Sequence, residues 1–218
     1  MRIFRYNSPL MTFLSRLADM MILNVLWLIC CLPVVTAGAA TTALYSCVMN
    51  LDEPNEQPVF RRFFQAFRCG FGRSTVLLAV WVVMMAVVLV NLWFYLVLIR
   101  DPSRWLRILP LIPAVLMLLV SSYLFPLQAK FENSLLGTVK NAFSLTLVHL
   151  PTTVVITVIH MLPVLVLYYF TNIFVYLLAV WTLFGFALLA YLNGHFLKKV
   201  FYQHLPQSEE NENEEDIG

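Results

Sequence analysis

The stretch LPVVTAGAATTALY, Leu32 to Tyr45, follows the apolar run LADMMILNVLWLICC, residues 17–31. How the join is read decides how often the chain crosses a membrane. Pro33 has no N–H to extend a helical ladder, and it biases the residue before it away from helix. Thr36 has a hydroxyl that can cap a following helix, and Gly38 lets another backbone come close. These residues predict a helix ending near Leu32, a break across PVVTAG, and a second helix from about 39 to 51. The second helix, at roughly 13 residues or about 20 Å, is short for a full crossing. The competing reading is one helix with an untidy end that crosses once.

Charge separates the two. If residues 13–51 form a broken or re-entrant hairpin, then the N-terminus, the 52–74 loop, the 130–141 loop and the C-terminus share a side. Eleven of the fourteen basic residues then lie there, against three on the other side. A single crossing divides them six to eight, which is no bias. Basic residues hold loops on the cytoplasmic side, so the hairpin is preferred, with both termini cytoplasmic.

The rest of the chain fits a membrane class. Of 218 residues, 61% are hydrophobic and 12% charged, far from the roughly 25% charged residues of soluble domains. Uninterrupted runs such as STVLLAVWVVMMAVVLVNLWFYLVLI exclude the alternation of an outer-membrane barrel. The predicted fold is all-α. It is a polytopic helix bundle with four full spans, 75–99, 109–129, 142–168 and 172–194, in addition to the hairpin. Pro151 and Pro163 should kink the third span. Residues 1–205 form one integral membrane domain. The tail, 206–218, holds six of the twelve acids and should be disordered.

Between hairpin and first span lies VFRRFFQAFRCGFGR, residues 59–73. Phe60, Phe63, Phe64, Phe67 and Phe71 recur at helical spacing, with Arg61, Arg62, Gln65 and Arg68 opposite. That pattern predicts an amphipathic helix lying in the headgroup layer of an anionic leaflet. Basic residues interleaved with aromatics also occur in nucleic-acid binders, but in a chain with this many spans the lipid bilayer is the partner expected.

Two phrases stand out together: LPVVTAGAATTALY, and FPLQAKFENSLLGTVKNAFSL from Phe125 to Leu145. With FRRFFQAFRCGFGRST between them, the chain resembles the YesL family of small multi-pass bacterial membrane proteins over roughly residues 4–200. The residues carrying the resemblance are Pro33, Thr36, Gly38, Ala43 and Tyr45 in the first phrase, and Pro126, Phe131, Glu132, Lys140 and Asn141 in the second. Lys130 after Ala129 stands where the family often has arginine. The resemblance implies a location in the bacterial cell membrane. It also implies a role connected with carbohydrate uptake, since members often sit beside sugar-import genes.

Candidate chemistry is sparse. His149, Thr153 and His160 fall on one face of the third span, because eleven residues make about three turns. Ionisable groups inside a membrane are functional candidates, as proton relays or ligand contacts. They also serve as hydrogen-bonded glue between helices, and so does Asn91 in the first span. Glu132, Lys130, Lys140 and Asn141 form a loop cluster able to dock a partner or to pair internally. Cys30, Cys31, Cys47 and Cys69 lack metal-ligand spacing and read as reduced thiols. No HExxH, GxSxG or Walker sequence is present, so neither catalysis nor a cofactor is expected. Two functions are left. The first is a non-catalytic accessory or assembly protein acting on a membrane transporter complex for carbohydrates. The alternative is a small permease whose broken hairpin lines a path for a sugar or related solute.

Overall fold

The computed structural model describes residues 9–51, 57–97, 109–131, 134–169 and 181–204, and these are almost wholly helical. Helix α1, Pro9–Cys31, stops one residue short of the Leu32–Pro33 pair. Pro33 is extended (φ −79°, ψ 114°), a 3-10 turn covers Val34–Thr36, and α2 runs over Ala37–Met49. The break therefore falls at the proline.

The chain folds back there. Trp27 Nε1 donates to Thr41 Oγ1 at 3.2 Å, whereas a continuous helix would hold these residues about 21 Å apart. Thr36 occupies the N-cap position of α2, but its hydroxyl does not cap that helix. It turns back instead to the carbonyls of Cys30 and Pro33. The reason is supply: the last carbonyls of α1 have no helical partner, and Pro33 has no N–H to offer them.

Helix α3, Val59–Val97, is continuous over 39 residues. The expected interfacial helix 59–73 is therefore no separate element, and at about 58 Å α3 is much longer than one span. Nothing between 59 and 97 stops it, since there is no proline and Gly70 and Gly72 remain helical. Nor do the phenylalanines share one environment. Phe63 is fully buried while Phe60, Phe64 and Phe71 are exposed. Phe67 is half-buried, in ring contact with Phe63 and Phe71. Arg61 and Arg68 face outward, but Arg62 turns inward and donates to the Asn50 carbonyl at 3.0 Å. This places a cation where α2 ends and its dipole is negative.

Helix α2 lies antiparallel along α3. Asn50 meets Arg62 at one end. At the other, a Cβ on Gly38 would stand 2.5 Å from the Ser74 carbonyl oxygen and 2.8 Å from Leu78 Cβ. The hairpin thus accompanies the first half of α3, with Gly38 beside Ser74 and Leu78.

Helix α4, Leu111–Lys130, agrees with the second predicted span and carries the buried Pro126 within it. The third predicted span is two helices, α5, Leu135–Val148, and α6, Leu150–Tyr169, bent by 104°. The Pro151 kink is thus a sharp break just ahead of the proline. Leu150 precedes a proline, and Pro151 cannot donate to the carbonyl four residues back. No break occurs at Pro163. Of the fourth predicted span, 172–180 lie outside the described residues. A π turn, Trp181–Gly185, leads into α7, Phe186–His204.

Among the described residues, three helices are long and apolar enough to cross a membrane: α1 from Leu14, α3 and α4, with the bent α5–α6 pair a fourth.

Candidate functional site

Among the described residues, three groups of buried polar side chains join one helix to another. The first centres on Asn24, fully buried on α1. Its Nδ2 donates to the Thr182 carbonyl at 2.7 Å, and its Oδ1 accepts from Ala187 N at 2.9 Å. A π turn disturbs the regular ladder, and this one amide serves both a carbonyl and an N–H at the disturbance. Trp27 stacks on Phe186 beside it, with ring centroids 4.2 Å apart. Gly185 leaves the space that the Trp181 ring fills.

The second group joins α2, α6 and α7. His160 Nδ1 lies 2.9 Å from the Ile156 carbonyl, which can only accept, so this nitrogen carries the proton. Asn193 Nδ2 lies against the imidazole, 3.0 Å from Nε2 and 3.4 Å from Nδ1, and the same amide nitrogen donates to the Tyr45 hydroxyl at 3.2 Å. Asn193 is fully buried, and its Oδ1 has no partner. Tyr45 and His160, read from distant parts of the sequence, thus meet through a residue that sequence reasoning missed.

The third group ties α6 to α4. Thr153 Oγ1 donates to the His149 carbonyl at 2.9 Å and hydrogen-bonds to the Tyr123 hydroxyl at 3.0 Å. Ser122 and Thr157 pair at 3.3 Å. His149 stands at the bend, where it caps α5 and its carbonyl accepts from Thr153 N at 2.9 Å.

The remaining candidates disperse. Asn91 is exposed in a shallow apolar groove with Val83, Val87, Val90 and Phe94, so it bonds no helix among the described residues. Lys140 and Asn141 are exposed on α5. Glu132 lies outside the described residues. All four cysteines are free thiols.

Phe131 is different. With Thr42, Ser46, Ala66, Cys69, Gly70, Arg73, Gln128 and Lys130 it lines a cavity of about 260 Å³. Here the hairpin, the arginine-rich part of α3 and the end of α4 converge. The segments 59–73 and 128–131 therefore share one end of the molecule, together with Asn50. Gly194, whose Cβ would come 3.5 Å from Met49 Cγ, brings α7 there too.

The helices and this seam of buried polar groups describe an all-helical protein compatible with a membrane. Compared with known families, residues 20–92 match the one described as "Protein of unknown function, DUF624", a segment from within α1 to near the end of α3. No curated protein matches the chain, and no solved structure does.

Proposed function

We propose that this is a multi-pass protein of the bacterial cell membrane, of the YesL type, with both termini cytoplasmic. It acts as a non-catalytic accessory or assembly partner of a membrane transporter complex linked to carbohydrate uptake. One observation carries the reading: the buried polar groups are largely consumed by one another. Asn24 serves the π turn, Thr153 and Ser122 meet Tyr123 and Thr157, and His160 is held between Ile156 and Asn193. A carrier needs polar groups open to a passing solute, whereas these bind helix to helix. The exposed charges gather instead on one end, with Arg61, Arg68 and Arg73 on α3 and Lys140 on α5. Charged surface of that kind steers and orients a protein partner. In this reading α3 crosses the bilayer from about Ser74, and residues 59–73 lie at the cytoplasmic surface. The sugar link rests on the resemblance alone.

The cavity at Arg73 favours the second reading, a small permease. Purification in mild detergent from native membranes separates the two. We expect a sugar-transporter membrane subunit to co-purify, and to be lost when Arg61 and Arg68 are both changed to glutamate. Sugar flux into liposomes by the purified protein alone, abolished by His160→Ala, would establish the permease instead.

A further inference from the structure

We infer that the cavity between α2, α3 and α4 is a binding site for a phosphate group, taken from a phospholipid headgroup or from a soluble phosphate. The charge of the lining comes first. Among the described residues that line it, Arg73 and Lys130 are the ionisable side chains apart from Cys69, and none is an acid. Lys130 stands in the last turn of α4, where it also meets the negative end of that helix. Arg73 makes no hydrogen bond or ion pair among the described residues, so its planar fork is open to a ligand. Two parallel N–H groups on a phosphate are the contact this side chain is shaped for.

The neutral lining adds donors. Thr138 Oγ1 donates to Gln128 Oε1 at 3.1 Å, which leaves the amide N–H₂ as the end free to serve the cavity. Ser46 on α2 has a hydroxyl with no partner among the described residues. Behind the wall, Ser74 Oγ is fully buried and without a partner. It lies 3.5 Å from where a Cβ on Gly70 would stand, and Gly70 itself lines the cavity.

Size and place limit the ligand. A volume of about 260 Å³ is below the roughly 300 Å³ at which drug-sized pockets begin, enough for a phosphate with a few attached atoms. The cavity lies where α3 changes from arginine-rich (61–73) to continuously apolar (76–90). Basic pockets at that level between helices take anionic headgroups. The inference does not depend on the accessory reading, since either function can coexist with such a site.

The test uses the full-length protein, delipidated in detergent and followed by native mass spectrometry and thermal unfolding. Phosphatidylglycerol, phosphatidylcholine and inorganic phosphate are added separately. We expect phosphatidylglycerol to bind in preference to phosphatidylcholine, and Arg73→Gln to weaken it roughly tenfold, as loss of a charged hydrogen bond implies. Arg73→Lys should fall between, and Ser46→Ala should weaken binding less. Arg61→Gln, on the exposed part of α3, should bind as the parent does. Stabilisation by inorganic phosphate that Arg73→Gln removes would support the site and assign it to a soluble ligand. Absence of both effects, or equal weakening by Arg61→Gln and Arg73→Gln, would overturn the proposal. If Arg73→Gln unfolds, the Ser46→Ala and Arg73→Lys titrations decide by the same criterion.

Discussion

Asn24 and Asn91 stand in equally apolar sequence, yet one is fully buried with donor and acceptor both engaged and the other is exposed. Replacing Asn24 with leucine would remove the amide that serves the Thr182 carbonyl and the Ala187 N–H. We expect a loss of about 1–3 kcal/mol, and Asn91→Leu should change stability by no more than about 0.5 kcal/mol. Thermal unfolding in detergent reads both, and equal effects would contradict the assigned roles. Nothing in the sequence distinguishes the pair, because the partners of Asn24 lie more than 150 residues away. Asn193 was hidden in the same way: its neighbours Tyr45 and His160 come from two other helices. Tyr45 and His160 themselves were legible, one from a motif and the other as an ionisable group in an apolar run.

Among the elements, the α2–α3 contact is the most constrained. Small residues Gly38, Thr42 and Ser46 recur every fourth position on α2 and face α3, where Gly70 and Ser74 are equally small. Membrane helices approach closely by this device. A methyl group on Gly38 would strike the backbone of α3, which cannot yield as a flexible side chain can. Gly38→Ala should therefore cost about 1–3 kcal/mol, whereas Gly72→Ala, in mid-helix with open space around it, should stabilise by about 0.5–1 kcal/mol. A Gly38→Ala protein as stable as its parent would show that the helices are not packed so tightly. Helix boundaries set by proline were legible here: α1 ends at Pro33, and Pro151 marks the α5–α6 break. The size of that bend was not, since it is fixed by Thr153, which reaches Tyr123 on α4. The boundary expected at residue 74 failed for another reason. A change from charged to apolar composition changes the surroundings of a helix but does not interrupt its hydrogen bonds.

For the whole molecule, the central claim is that α1 and α2 form a hairpin whose two ends lie on one side of the membrane. Positive charge bias supports it, and so do the Trp27–Thr41 bond and the antiparallel run of α2 beside α3. If Arg73 marks the headgroup level, Gly38 on α2, beside Leu78, lies about five residues of α3, or about 7 Å, into the hydrocarbon. Residues 59–73 then stand outside it with the hairpin beside them. Such a hairpin brings the cavity and the exposed arginines to the same face, so partner docking and phosphate binding both depend on it. Cysteine accessibility tests it most directly. With the four native cysteines changed to alanine, Met11→Cys at the start of α1 and Gln57→Cys before α3 are each exposed to a membrane-impermeant maleimide. The account predicts that both react in inverted vesicles and neither in intact cells. Reaction of one from outside and the other from inside would mean that the chain crosses once between them, and the hairpin would be wrong.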